Sequence, residues 1–239
     1  MKSIIIIFLF IFIFEQAHSQ SFGEYPAFTD WYENPLGFHP LNLHTSSGII
    51  VPAVAAAACL LFTKRDTLLI NRISFYSEGG ISKGYYLPKT TMCQNNIGFF
   101  YHTRNWLHLG AEFNVYHPRD EFNNTWGFGI RPMVRFLPIN KENYRLFFES
   151  GAGLIYFLNE FPQPTSGYGE FNEPRMGTKW NGSPKYGIGA EINIDKSFSV
   201  LFGARHVHIS NGDTKGTERN PGHDSNGFYL GFSYKPIKN

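Results

Sequence analysis

From about residue 66 onward, large apolar side chains alternate with small or charged ones at period two, and stretches of helical spacing are hard to find. Eight segments carry the pattern, at residues 66–76, 97–104, 107–117, 125–136, 144–157, 185–194, 197–210 and 226–235. Successive side chains of a strand point to opposite faces, so each segment has two sides to compare. In the fourth, Trp126, Phe128, Ile130, Val134 and Phe136 share one face, and Gly127, Gly129, Arg131, Met133 and Arg135 the other. In the sixth, Tyr186, Ile188, Ala190, Ile192 and Ile194 stand against Gly187, Gly189, Glu191 and Asn193. The less apolar faces also carry Glu112, Arg145 and Glu149, and these charges neutralise one another only if the faces converge. A polar interior with an apolar exterior is the inverse of a soluble barrel. A lipocalin-like barrel needs a polar outer face instead.

The connections alternate in length, as outer-membrane barrels require. Short links at residues 105–106, 137–143 and 195–196 alternate with longer ones, rich in Gly, Pro, Asn and Asp, at 77–96, 118–124, 158–184 and 211–225. The prediction is an all-β fold: an eight-stranded antiparallel up-and-down outer-membrane β-barrel over residues 66–239, with an N-terminal extension. Trp106, Trp126 and Tyr144 near the segment ends fit interfacial aromatic girdles. In the first segment Leu68 and Ile70 oppose Leu69 and Ile73, so both faces are apolar and its register is the least defined.

The start of the chain adds an address. Lys2, an unbroken apolar run from Ile4 to Phe14 and then Ala17-His18-Ser19 form an export signal, expected to be cut after Ser19. The run falls short of the roughly 20 residues of a membrane-spanning helix. Residues 20–65 follow as an aromatic- and proline-rich extension, in which residues 48–62 are too short, and interrupted by Pro52, to span a membrane. They read as a buried or capping segment near the barrel. A net charge of +2 removes the electrostatic reason to expect nucleic acid as a partner. Cys59 and Cys93 are compatible with one disulfide in an exported protein and equally with two thiols.

Chemistry concentrates at the C-terminal end. His208, Ser210 and Asp224 sit at even positions in line with Phe198, Val200, Phe202, Phe228, Leu230 and Phe232, on the apolar side. Hydrolysing an ester at neutral pH takes a nucleophile, a base, and a group that orients the base and stabilises its charged form. Serine, histidine and aspartate supply one of each. A hairpin centred near Thr217 sets Ser210 opposite Asp224 and His208 opposite Asn226, with the carboxylate in diagonal reach of the ring. On the lipid-facing side of a barrel rim, the accessible esters are those of lipids in the outer leaflet.

The run Arg205-His206-Val207-His208-Ile209-Ser210-Asn211, followed by Asn220-Pro221-Gly222-His223-Asp224-Ser225, resembles the PagL-type lipid A deacylases, whose hallmark is His-x-Ser-Asn. The resemblance implies an eight-stranded outer-membrane barrel that removes the acyl chain at position 3 of lipid A, the anchor of lipopolysaccharide, without a metal cofactor. It also implies His208 as general base, Ser210 as nucleophile, Asp224 as orienting acid, and Asn211 as a contributor to the oxyanion site, with backbone N–H groups near Gly212 or Asp213 as partners. Two positions depart from the pattern. The acid is aspartate where better-known members have glutamate, and Gly212-Asp213 stands where Ala-Gly is commoner.

Other readings of the same residues remain. His206 and His208 could hold zinc with Asp224, although spacing supplies no further ligand. Lys215 and Arg219 in the last outer loop are candidates for meeting the sugar phosphates of the substrate. A non-catalytic barrel for adhesion, membrane integrity or transport, or an esterase acting on glycerophospholipid, would share the fold without the lipid A chemistry.

Overall fold

The computed structural model describes residues 54, 57–58, 60–64, 73–84, 89–163, 176–212, 214–216 and 219–236. The expected signal peptide, most of the extension and Cys59 lie outside the described residues, whereas Cys93 is an exposed free thiol.

Ten strand segments form one antiparallel sheet: β1 (Ile73–Gly84), β2 (Thr91–Arg104), β3 (Leu107–Arg119), β4 (Gly127–Asn140), β5 (Tyr144–Gly151), β6 (Leu154–Phe161), β7 (Thr178–Gly182), β8 (Lys185–Asn193), β9 (Phe198–Ile209) and β10 (His223–Tyr234). Two pairs are single staves with a local break. β4 keeps one register across the first break, from Met133↔Gly151 on β5 to Ile130↔Leu154 on β6. β9 does the same across the second, from Lys185↔Val207 on β8 to an isolated bridge Gly182↔Ser210 at the end of β7. The result is a closed barrel of eight staves, sealed by the β3–β4 and β1–β10 pairings. Closure leaves no edge, which a sheet in lipid requires because hydrocarbon offers nothing to an unpaired N–H or C=O.

The outer face is the apolar one. Leu230 and Phe232 are 60% and 62% exposed, and Ile97, Phe113, Ile130 and Phe228 join them in a continuous belt. The charges are inside. Glu112 accepts from Arg131 at 2.5 Å, Lys185 at 2.8 Å and the Tyr76 hydroxyl at 2.6 Å. Glu149 pairs with Arg135 at 2.8 Å, Glu78 with Arg205 at 2.6 Å and Glu191 with Arg145 at 2.5 Å. Arg131 also donates to the Ser183 carbonyl at 2.7 Å, at the break between β7 and β8. Apolar clusters flank the pairs of Glu78, Glu112 and Glu149 at both ends, and the Arg145–Glu191 pair lies beyond Phe147 at the short-turn end. Phe100, Leu137, Phe147 and Leu201 lie toward the short turns, and Met92, Ile155, Phe157, Phe161, Val207 and Ile209 toward the long loops.

The structure moves several boundaries read from the pattern. Among the described residues the first strand covers 73–84, running past the expected end at 76, and β2 begins at Thr91 rather than residue 97; residues 66–72 of the expected segment lie outside the described residues. The first long connection therefore shrinks from 77–96 to 85–90. Ser77-Glu78-Gly79-Gly80 resembles a turn, yet Glu78 faces the lumen, and a Cβ on Gly80 would meet Tyr229 Cβ at 3.1 Å on β10. Polar and glycine positions belong inside this kind of strand, so turn composition misplaces its end. The other strands also extend toward the long loops, with β6 reaching Phe161 and β7 opening at Thr178. Of the capping segment, residues 60–62 are helical, and Arg104 at the short-turn end of β2 donates to the carbonyls of Leu60 and Thr63. No helix among the described residues is long and apolar enough to cross a membrane.

Removing one member of the lumen network strands its buried partners. Glu112→Ala is expected to destabilise the barrel by about 3–5 kcal/mol, because Arg131 and Lys185 lose their shared acceptor. Urea unfolding of barrels refolded into lipid vesicles measures this. A loss below about 1 kcal/mol, the size of an exposed pair, would contradict a sealed charged lumen.

Candidate active site

At the long-loop end of the β9–β10 ribbon the outward face changes character. Phe198, Phe202, Phe228, Leu230 and Phe232 are exposed, but the next outward positions, Ala204, His206, His208, Asp224 and Asn226, are buried. His206 is 1% exposed, His208 7% and Asp224 8%. Polar groups enclosed beside a lipid belt cost free energy unless hydrogen-bonded, and here they bond to one another. His208 Nδ1 lies 2.8 Å from Asp224 Oδ1. His206 Nε2 lies 3.1 Å from the same oxygen, and its Nδ1 lies 3.0 Å from Asn226 Oδ1. Tyr186 on β8 stacks on the His206 ring at a centroid distance of 4.8 Å.

The hairpin register differs from the expected one by two residues. Asp224 stands directly across from His208 and Asn226 across from His206, so the imidazole and the carboxylate are a cross-strand pair and not a diagonal one. Direct opposition places Cβ atoms about 4.5–5.5 Å apart, and this closeness lets the shorter acid reach the ring. The hairpin is centred one residue before Thr217, and a shift of two preserves which face each residue occupies.

Ser210 follows on the same stave, held by backbone bonds to Gly182 of 2.7 and 3.2 Å. Its hydroxyl accepts from Gly212 N at 3.3 Å, and among the described residues it forms no hydrogen bond with His208. The structure thus joins His208 to Asp224 and sets Ser210 at the adjacent outward position. Gly212 has φ +61°, a left-handed conformation that suits glycine and turns its N–H back toward the serine. Asn211 builds the loop. Its side-chain amide donates to Thr178 Oγ1 at 3.1 Å and to the Arg219 carbonyl at 2.7 Å, while its backbone N–H donates to Asn220 Oδ1 at 3.0 Å. Its donors are therefore directed away from Ser210, and the N–H aimed at the hydroxyl belongs to Gly212. Asp213 lies outside the described residues.

The two headgroup candidates differ. Lys215 is exposed, whereas Arg219 is tied to Glu160 at 2.7 Å and to the Gly177 carbonyl at 3.1 Å. Among the described residues no group of three or more His, Cys, Asp or Glu is arranged to hold a metal ion, since both imidazoles are turned onto Asp224 by hydrogen bonds. The pattern reading placed Asn226 opposite the wrong histidine and considered His206 only as a metal ligand. Their even parity was the available signal, because it puts both on the face of His208 and Asp224.

A closed eight-stranded barrel with an apolar belt, a charged lumen and a polar cluster at one rim is an outer-membrane β-barrel of the bacterial cell surface. The model of the family described as lipid A 3-O-deacylase (PagL) matches residues 99–233, which include the whole cluster. The chain belongs to that family. Similar solved structures include the outer-membrane enzyme PagL, at 14% identity and TM-score 0.46, covering 67% of this chain and 99% of that one. Neisserial surface protein A matches at 10% identity and TM-score 0.50, over 68% of this chain and 96% of that one. Ail of Yersinia pestis matches at 15% identity and TM-score 0.41, over 69% and 99%. At these identities the likeness is one of fold. No curated protein matches the chain in sequence.

The cross-strand geometry predicts a tautomer. With Nδ1 donating to Asp224, His208 should hold its proton on Nδ1 at mildly alkaline pH, where 15N NMR of labelled barrels distinguishes the two nitrogens. Asp224→Ala should produce a mixture of tautomers. A native His208 protonated on Nε2 would contradict the pairing.

Proposed function

We propose that this protein is an outer-membrane ester hydrolase that removes a 3-hydroxyacyl chain from lipid A by a Ser-His-Asp mechanism. The observation that carries the proposal is the His208–Asp224 pair on the lipid-facing parity of the β9–β10 rim, with Ser210 at the next outward position. Family membership supports the substrate class. The lumen is filled by ion pairs between apolar clusters, so an amphiphile reaches the rim from the side, out of the outer leaflet.

In this mechanism the Ser210 hydroxyl turns toward His208, which takes its proton as the oxygen attacks the ester carbonyl. The carbonyl oxygen becomes an oxyanion and accepts from Gly212 N–H, with Asn211 fixing the loop that presents that donor. Collapse breaks the acyl–oxygen bond, and His208 returns the proton to the departing sugar hydroxyl. Water, deprotonated by His208, then cleaves the acyl-serine and releases the fatty acid. Asp224 stabilises the imidazolium in both half-reactions. Exposed Lys215 is available to the sugar phosphates, whereas Arg219 would first have to leave Glu160.

Mass spectrometry of lipid A from cells expressing the intact protein should show the loss of one hydroxyacyl chain. Ser210→Ala and His208→Ala should each lower deacylation by about 10³-fold or more. Lipid A unchanged in all three strains would favour a non-catalytic barrel, and altered phospholipid alone would indicate a glycerophospholipid esterase.

A further inference from the structure

His206 lies one outward position before His208 on β9, and the proposed hydrolysis does not use it. Its ring is nevertheless the most enclosed of the rim histidines on that face, and both of its nitrogens meet oxygens of the facing strand, Asp224 Oδ1 at 3.1 Å and Asn226 Oδ1 at 3.0 Å. Asp224 Oδ1 is therefore shared. It takes His208 Nδ1 from directly across and His206 Nε2 from one outward position away. We infer that His206 is a positioning residue of the proposed hydrolytic site, which fixes the rotation of the Asp224 carboxylate so that Oδ1 faces His208.

The reason is mechanical as well as electrostatic. The terminal torsion of an aspartate is broad, and one hydrogen bond to one ring leaves the carboxylate free to swing. A second donor on the same oxygen, arriving from a different position on β9, fixes that oxygen in space. The second donor is itself fixed: Tyr186 on β8 sets the ring plane by stacking, and Asn226 on β10 engages the far nitrogen. The chain of contacts Asn226, His206, Asp224, His208 zigzags between β10 and β9 along two successive outward pairs of the ladder. Donation from Nε2 of a neutral ring to Asp224 goes with Nδ1 accepting from the Asn226 side-chain amide, whose oxygen and nitrogen exchange places by a half-turn. A carboxylate enclosed beside the lipid belt also lacks the water that would solvate its charge, and the second imidazole supplies a donor in its place. The aspartate at this position, one methylene shorter than glutamate, can thus be held as firmly as a longer acid packed by its own stem.

This inference rests on the proposed function, and its test separates the two. Steady-state deacylation of lipid A in mixed micelles is compared for the full-length native protein, Ser210→Ala, His206→Phe and His206→Gln, with folding of each checked by the gel mobility of unheated samples. Phenylalanine preserves the ring against Tyr186 but donates nothing. Glutamine carries an amide N–H to about the place of Nε2. His206→Phe should lower kcat about 10- to 100-fold, the scale of a small misplacement of a catalytic group, with KM within about 2-fold of native. His206→Gln should recover most of the lost kcat. If His206→Phe does not fold, His206→Asn, whose amide falls short of Asp224, takes its place with the same expectation. A native kcat in either non-donating variant, beside an inactive Ser210→Ala, would overturn the role of His206 alone. A kcat loss that glutamine does not restore would also overturn it, as a packing effect. A native protein that leaves lipid A intact would overturn the proposed function, and this inference with it.

Discussion

A strand that crosses a bilayer has two faces, and only the one turned from the lipid can carry charge without a large desolvation cost. That constraint organises the whole barrel. Glu78, Glu112, Glu149, Arg131, Arg135, Lys185 and Arg205 all project inward, where each acid finds a base. Phenylalanine, leucine and isoleucine take the alternate positions and form the belt. With period two imposed on every stave, the face of any residue follows from that of its neighbours.

The same constraint bears on the proposed chemistry. The lumen is closed by apolar clusters on both sides of the pairs of Glu78, Glu112 and Glu149, so it offers no route to a bulky amphiphile. Reactive groups that act on lipid must therefore sit on the outward parity, yet a histidine and a carboxylate there would be poorly solvated. The rim resolves this conflict by enclosing His206, His208, Asp224 and Asn226 together and satisfying them mutually. The break between β7 and β8 contributes as well. Gly182 and Pro184 accept backbone bonds from Ser210 and His208, so the stave that carries the proposed reactive groups stays paired to its end.

How much of this was legible follows from what period two can and cannot encode. It placed the segment at 107–117 on β3 almost to its bounds, and it put His208, Ser210 and Asp224 on one face. It could not settle the pairing of β9 with β10, because sliding a hairpin by two residues leaves every face unchanged while giving each residue a new partner. Only the loop conformation decides that. The end of β1 was misplaced for a different reason: Glu78, Gly79 and Gly80 have the composition of a turn in a soluble protein, but in a polar lumen they are ordinary strand residues. The loop role of Asn211 was invisible, since its partners Thr178 and Arg219 are brought to it only by the tertiary fold.

Under the proposed function Ser210 becomes nucleophilic from the membrane side. The most direct measurement is peptide mapping of the protein after treatment, in intact outer membranes, with a lipophilic serine-directed phosphonate. A single adduct on the peptide containing Ser210, lost when His208 is replaced by alanine, is the predicted result. Lipid A deacylation that proceeds while Ser210 stays unlabelled and replaceable would contradict it.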